Sequence, residues 1–172
     1  MADEGGSFRF RARVNDTLVF PGVRDVRPFL AGAVLACRPV ALVTIYRCHG
    51  GDCRPGVQMA FTADDLSGIS PEACSETDLA CQARACLEDL RPRWLSYDDA
   101  TFACGHIDVL IECLVPQDQA LLTLLDMTRA HQGALWLSDG RDRSCLPCGP
   151  CNGTEAAGEM AEGAIWVRHN PV

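Results

Sequence analysis

Cys145-Leu-Pro-Cys148-Gly-Pro-Cys151 sets three thiols at two-residue gaps, the densest reactive motif in the chain. Its second half is the Cys-Gly-Pro-Cys dithiol of thioredoxin-like enzymes, whose first thiol is acidified by the helix that follows. Here Asn152-Gly153 follows at once and 21 residues remain after Cys151, too few for a redox domain of that kind. Metal ligation is the second reading, since structural zinc takes four Cys or His ligands. Cys145, Cys148 and Cys151 with His131 form the leading set, with Cys104, His106 and His169 as other candidates for the fourth place. Cys48/Cys53 with His49, and Cys104/His106 with Cys113, are further groupings. None has the doubled Cys-x2-Cys spacing that marks a zinc module. The third reading makes Cys37, Cys86 and Cys113 small core residues on apolar faces.

His106, Asp108 and Glu112 fall on one side of a strand, because alternate residues point the same way. Such a row could serve acid–base catalysis; a solvated polar face is the simpler expectation. Gly50-Gly51 lacks the Lys and Ser/Thr of a phosphate-binding loop. Asp64-Asp65 and Asp98-Asp99 lack calcium-loop spacing. No complete catalytic set emerges, and the chain reads as a non-enzyme. Arg9, Arg11 and Arg13 form one face of an N-terminal strand, a candidate surface for an acidic partner or a charged edge.

The chain has 172 residues, eleven cysteines, fifteen arginines and no lysine. A GC-rich genome, such as that of a virus, accounts for the lysine gap. The length suits one domain that can bury a core without staples. A net charge of −8 argues against a nucleic-acid binder. The apolar runs are too short to span a bilayer. Met1-Ala-Asp-Glu lacks the pattern of a secretory signal, which favours a reducing compartment and free thiols. Asn15-Asp-Thr17 and Asn152-Gly-Thr154 are glycosylation sequons and keep a secreted, disulfide-stapled protein open as the alternative.

The elements that would position these residues alternate in type. Phe8–Val14 and Leu18–Phe20 read as strands, and Arg27–Cys37 as a helix with proline in its first turn. Pro39–Tyr46 has the pattern of a central strand, with Val57–Phe61 as its partner. Ser75 caps a helix over 79–90. Ile107–Val115 is a strand, Pro116 opens a helix closed by Gly133, and Ala134–Leu137 and Ala164–Arg168 are short strands. The expectation is an α+β domain: one mixed sheet of about six strands with two or three helices. Residues 1–138 form its core, and 139–172 form an irregular Cys/Gly/Pro-rich segment packed on it.

Ala134-Leu-Trp-Leu-Ser138, then Ser144-Cys145 after five residues, then Pro150-Cys151, resembles a stretch of the herpesvirus cytoplasmic envelopment protein 2 family. Trp94-Leu95, Cys104, Asp108, Cys113, Leu121-Leu122 and His131 fall in a similar order. Residues 1–90 show no match, and a further cysteine pair of that family is missing ahead of Ala134. The resemblance implies a non-enzymatic tegument protein that binds viral or host proteins in the cytoplasm or nucleus of an infected cell. The alternatives are a secreted protein that captures a host ligand such as a cytokine, and a zinc-stabilised regulatory module.

Overall fold

Two four-stranded antiparallel sheets hold the described part of the chain together. The structure, a computed structural model, describes residues 25–49, 54–66, 78–99, 105–149, 155–161 and 163–172. The strand candidates before residue 21, with Arg9, Arg11, Arg13 and Asn15, lie outside these, as do Ser75, Cys53, Cys104, Cys151 and Asn152.

Helix α1 (Arg27–Leu35) begins with Pro28 in its first turn, where the missing N–H costs no hydrogen bond. Cys37 ends it in the left-handed region at φ 53. Cys37 N donates to Val34 O, and Arg38 N to Ala33 O at 2.9 Å, the bond pair of a Schellman closure with cysteine in the usual glycine place. Strands β1 (Val40–His49) and β2 (Gln58–Phe61) follow, then a short turn of helix, α2 (Ala63–Leu66). Helix α3 (Asp78–Asp89) leads into β3 (Arg93–Asp99) and β4 (Gly105–Leu114). Helix α4 (Gln119–Arg129) starts later than Pro116: Asp118 is the cap, its carboxylate accepting from the backbone N–H of Ala120 and Leu121. It closes at His131 (φ 54), not Gly133, with His131 N on Thr128 O and Gln132 N on Met127 O. Strands β5 (Gly133–Ser138), β6 (Arg143–Cys148), β7 (Ala157–Glu159) and β8 (Ile165–His169) complete the chain.

The first sheet runs β2-β1-β4-β3 and the second β6-β5-β8-β7. The domain is α+β, as expected, but its strands form two antiparallel sheets, not one mixed sheet of about six. Segment 139–172 is more regular than its composition suggested, since β6, β7 and β8 all come from it.

Strand alternation sorts the core into two layers. Ala41, Val43, Ile45, Ile107, Val109 and Ile111 pack under α3 through Leu79, Ala83 and Cys86. The other face sends Val40, Leu42, Leu110 and Leu114 toward α1, α4 and Trp136, Ile165 and Val167 of the second sheet. β1 carries a bulge. Pairing with β4 shifts by one between Ile45 (opposite Val109) and Arg47 (opposite Asp108), leaving Tyr46 extra. Tyr46 meets the Trp94 ring edge-on at 5.5 Å.

Candidate functional site

The row His106, Asp108 and Glu112 lies on the side of β4 toward the second sheet, with Asp108 and Glu112 buried and His106 half-buried, so the solvated-face expectation is corrected. Glu112 has no exposed surface and Asp108 is 3% exposed. Ser96 Oγ donates to Asp108 Oδ1, and His106 Nε2 lies 3.0 Å from the same oxygen. Arg47 reaches Asp108 Oδ2 at 3.1 Å and also pairs with Glu159 of β7. Farther along β4, Arg143 Nε stands 3.0 Å from Glu112 Oε1, while its terminal nitrogen pairs with Asp118. Burial pushes the Glu112 carboxyl up to about 7, against the pull of Arg143. Ser96 Oγ and His106 Nε2 share one oxygen of Asp108, all three on neighbouring strands of the first sheet. The row acts as two ionic clamps, Glu112–Arg143 and Arg47–Glu159, joining the sheets.

The thiols are dispersed. Cys145 and Cys148 stand three apart on β6 and so project to opposite sides. Cys145 is 9% exposed in the inter-sheet core, and burial raises its thiol to about 11. Cys148 is half-buried, and β7, not a helix, is the next described element. His131 is the left-handed residue after α4, with Nδ1 on the carbonyl oxygen of Val172 at 2.5 Å. Among the described residues no three His, Cys, Asp or Glu side chains are grouped to hold a metal ion. Cys37, Cys48, Cys86, Cys113, Cys145 and Cys148 form no disulfide, whereas Cys81 on α3 is disulfide-bonded. Cys86 and Cys113 are core residues, as expected, but Cys37 is exposed.

Sequence reasoning missed a cleft of about 640 Å³. It lies where the start of α1, the turn into β2, the lead into β7 and the end of β8 converge. Its charged lining is Asp25, Arg27, Arg54, Glu155 and Arg168, with His169. Arg27 is buried, its Nε on Asp25 at 2.7 Å and a terminal nitrogen on the Asn170 carbonyl at 2.9 Å. His169 is 8% exposed, and its Nε2 has no hydrogen-bond partner. Burial, with the charge of Arg27, holds the imidazole down to about 4, so it is neutral near pH 7. The one signal in the sequence was a histidine closing an alternating apolar strand, Ile165 to His169.

Residues 33–98 match the XdhC and CoxI family. The fold is similar to that of a Bacillus halodurans protein whose crystal structure is described as a xanthine dehydrogenase. That similarity has a TM-score of 0.56 at 19% identity and covers 86% of this chain and 49% of that one. This chain thus spans about half the length of that protein. No curated protein matches the chain in sequence.

These findings overturn the tegument reading and, with it, the viral adaptor function and the location in an infected cell. The stretch that suggested it, 134–151, overlaps an antiparallel pair, β5 with β6. Ala134, Trp136 and Ser138 are inward residues alternating with outward leucines, a pattern that any half-buried strand shares. The family match begins in α1 and ends in β3, largely within the region where no resemblance had been seen.

Proposed function

We propose that this protein is a non-catalytic accessory factor in the maturation or assembly of a molybdenum-containing enzyme of the xanthine dehydrogenase type. The carrying observation is the match of residues 33–98 to the XdhC and CoxI family. Proteins of that kind are maturation factors, not catalysts, are linked to molybdenum cofactor handling, and bind partners such as xanthine dehydrogenase. Of the row on β4, Glu112 is taken up by Arg143 of the second sheet, while Asp108 is held within the first sheet by Arg47, Ser96 and His106. On this reading the partner is a bacterial oxidoreductase, not a viral or host protein. Among the described residues no helix is long and apolar enough to cross a membrane.

The test is co-expression with a xanthine dehydrogenase-type enzyme from the same source. The enzyme purified with the chain present is expected to carry more molybdenum and to be recovered in complex with it. Equal molybdenum content with and without the chain, and no complex on gel filtration, would refute the proposal.

A further inference from the structure

We infer that the cleft between the start of α1 and the end of β8 binds a small organic anion, seating its phosphate or carboxylate group among Arg54, Arg168 and His169. The inference goes beyond the accessory role and does not depend on which enzyme is served.

Charge is the first argument. In a chain of net charge −8, this cleft gathers three arginines against two carboxylates. One of those carboxylates, Asp25, is held on Arg27 by both the backbone N–H and Nε, and so is neutralised in place. Arg54 is exposed at the rim and pairs with no described residue. Arg168 lies 5.7 Å over the Trp166 ring, with one terminal nitrogen on the Glu155 carbonyl oxygen at 3.2 Å. An arginine fork matches the paired oxygens of phosphate or carboxylate.

The orphan nitrogen of His169 is the second, independent argument. A buried imidazole nitrogen without a partner is costly and rare in a settled core. A bound anion would satisfy it if that nitrogen carries the ring's proton. Arg27, on the same lining, is already occupied by Asp25 and the Asn170 carbonyl, whereas His169 Nε2 has no such partner to give up.

Shape is the third. Gly56 sits at φ +95, and a side-chain carbon there would come within 2.9 Å of the Ala156 Cβ. That close approach ties the turn into β2 to the lead into β7, so two walls are held in contact. Ligand sites run from about 300 to 1,000 Å³, and the cleft falls within that range. Pro55, Val57, Ala157 and Pro171 line it beside the charges. The matching ligand has an apolar or ring-bearing body and one anionic end.

Titration calorimetry of the whole chain near neutral pH tests this with three probes: phenyl phosphate, benzoate and inorganic phosphate. At least one ring-bearing anion is expected to bind one-to-one and to move the His169 ring signals in the NMR spectrum. Phenyl phosphate binding with benzoate silent identifies a phosphate monoester; the reverse identifies a carboxylate. Arg54→Ala is expected to weaken binding roughly tenfold or more, with an unchanged thermal transition because the side chain is exposed. Three outcomes would each overturn the inference: no binding by any probe, unchanged affinity in both Arg54→Ala and Arg168→Ala, or inorganic phosphate binding as tightly as the ring-bearing anions.

Discussion

Glu112 and His169 are both buried, and burial moves their proton affinities in opposite directions. Glu112 is raised from 4.5 to about 7, so the folded protein holds a proton that the unfolded chain releases. The stability it contributes is complete below about 4.5 and is lost as pH rises through 7. His169 is lowered from 6.5 to about 4, so the unfolded chain takes up a proton that the folded protein refuses. Its contribution is complete above about 6.5 and is lost as pH falls toward 4. Between pH 4.5 and 6.5 the two trends oppose, and wild-type stability is expected to stay nearly level. Each single variant uncovers the other group. In Glu112→Gln, urea midpoints should fall as pH drops from 7 to 5, the slope left by His169. In His169→Gln they should rise over the same range. Each effect is on the order of 3 kcal/mol across its full window. Parallel slopes in the two variants would show that these groups do not control the profile.

Both α1 and α4 end on a side-chain-bearing residue in the left-handed region, at Cys37 and His131. Left-handed backbone costs an ordinary residue about 1 kcal/mol that glycine escapes. Cys37→Gly is therefore expected to raise stability by a few tenths to about 1 kcal/mol, less what glycine's freedom in the unfolded chain takes back. Calorimetry would show this as a small upward shift in Tm, and a lower Tm would count against the closure described. Elements with a strong period were legible: α1, α3, α4, β1, β2, β4, β5 and β8 were all placed from pattern alone. β3 was not, because its polarity does not sort by face: Leu95 and Tyr97 are half-buried against the α3 layer, while the apolar Trp94 lies with Ser96 on the exposed face. β6 and β7 hid behind Pro147 and Gly158, which read as turn residues. In fact β6 is an edge strand, where proline is tolerated, and the Trp166 ring covers Gly158. The helix ends were misread because the carbonyls are closed by a Schellman turn at His131 before Gly133 is reached. The cleft could not be read at all. It draws on residues 25–27, 54–57, 155–157 and 168–172, and only long-range folding brings these together.

At the scale of the molecule, the described residues form two sheets whose facing surfaces carry matched charges as well as apolar side chains. Removing one member of a buried pair strands the other, which costs far more than the pair is worth. Arg143→Met should therefore destabilise by roughly 3 kcal/mol or more at pH 8, where Glu112 is ionised. At pH 5 the loss should shrink, because Glu112 can take up a proton. Urea denaturation at the two pH values measures both, and an equal loss at each would mean that Arg143 acts through packing alone. The bulge in β1 bears on the same assembly. Tyr46 is the one residue of that strand with no opposite number on β4. Without this slip Arg47 would turn into the apolar layer under α3 instead of toward Asp108 and Glu159. Deleting Tyr46 alone would give a regular ladder with arginine still opposite Asp108, at the cost of the Trp94 contact and of the ring's packing against the inter-sheet core. A one-residue gap at this point is thus the length change that β1 can absorb, and it is where relatives of different length should first part company.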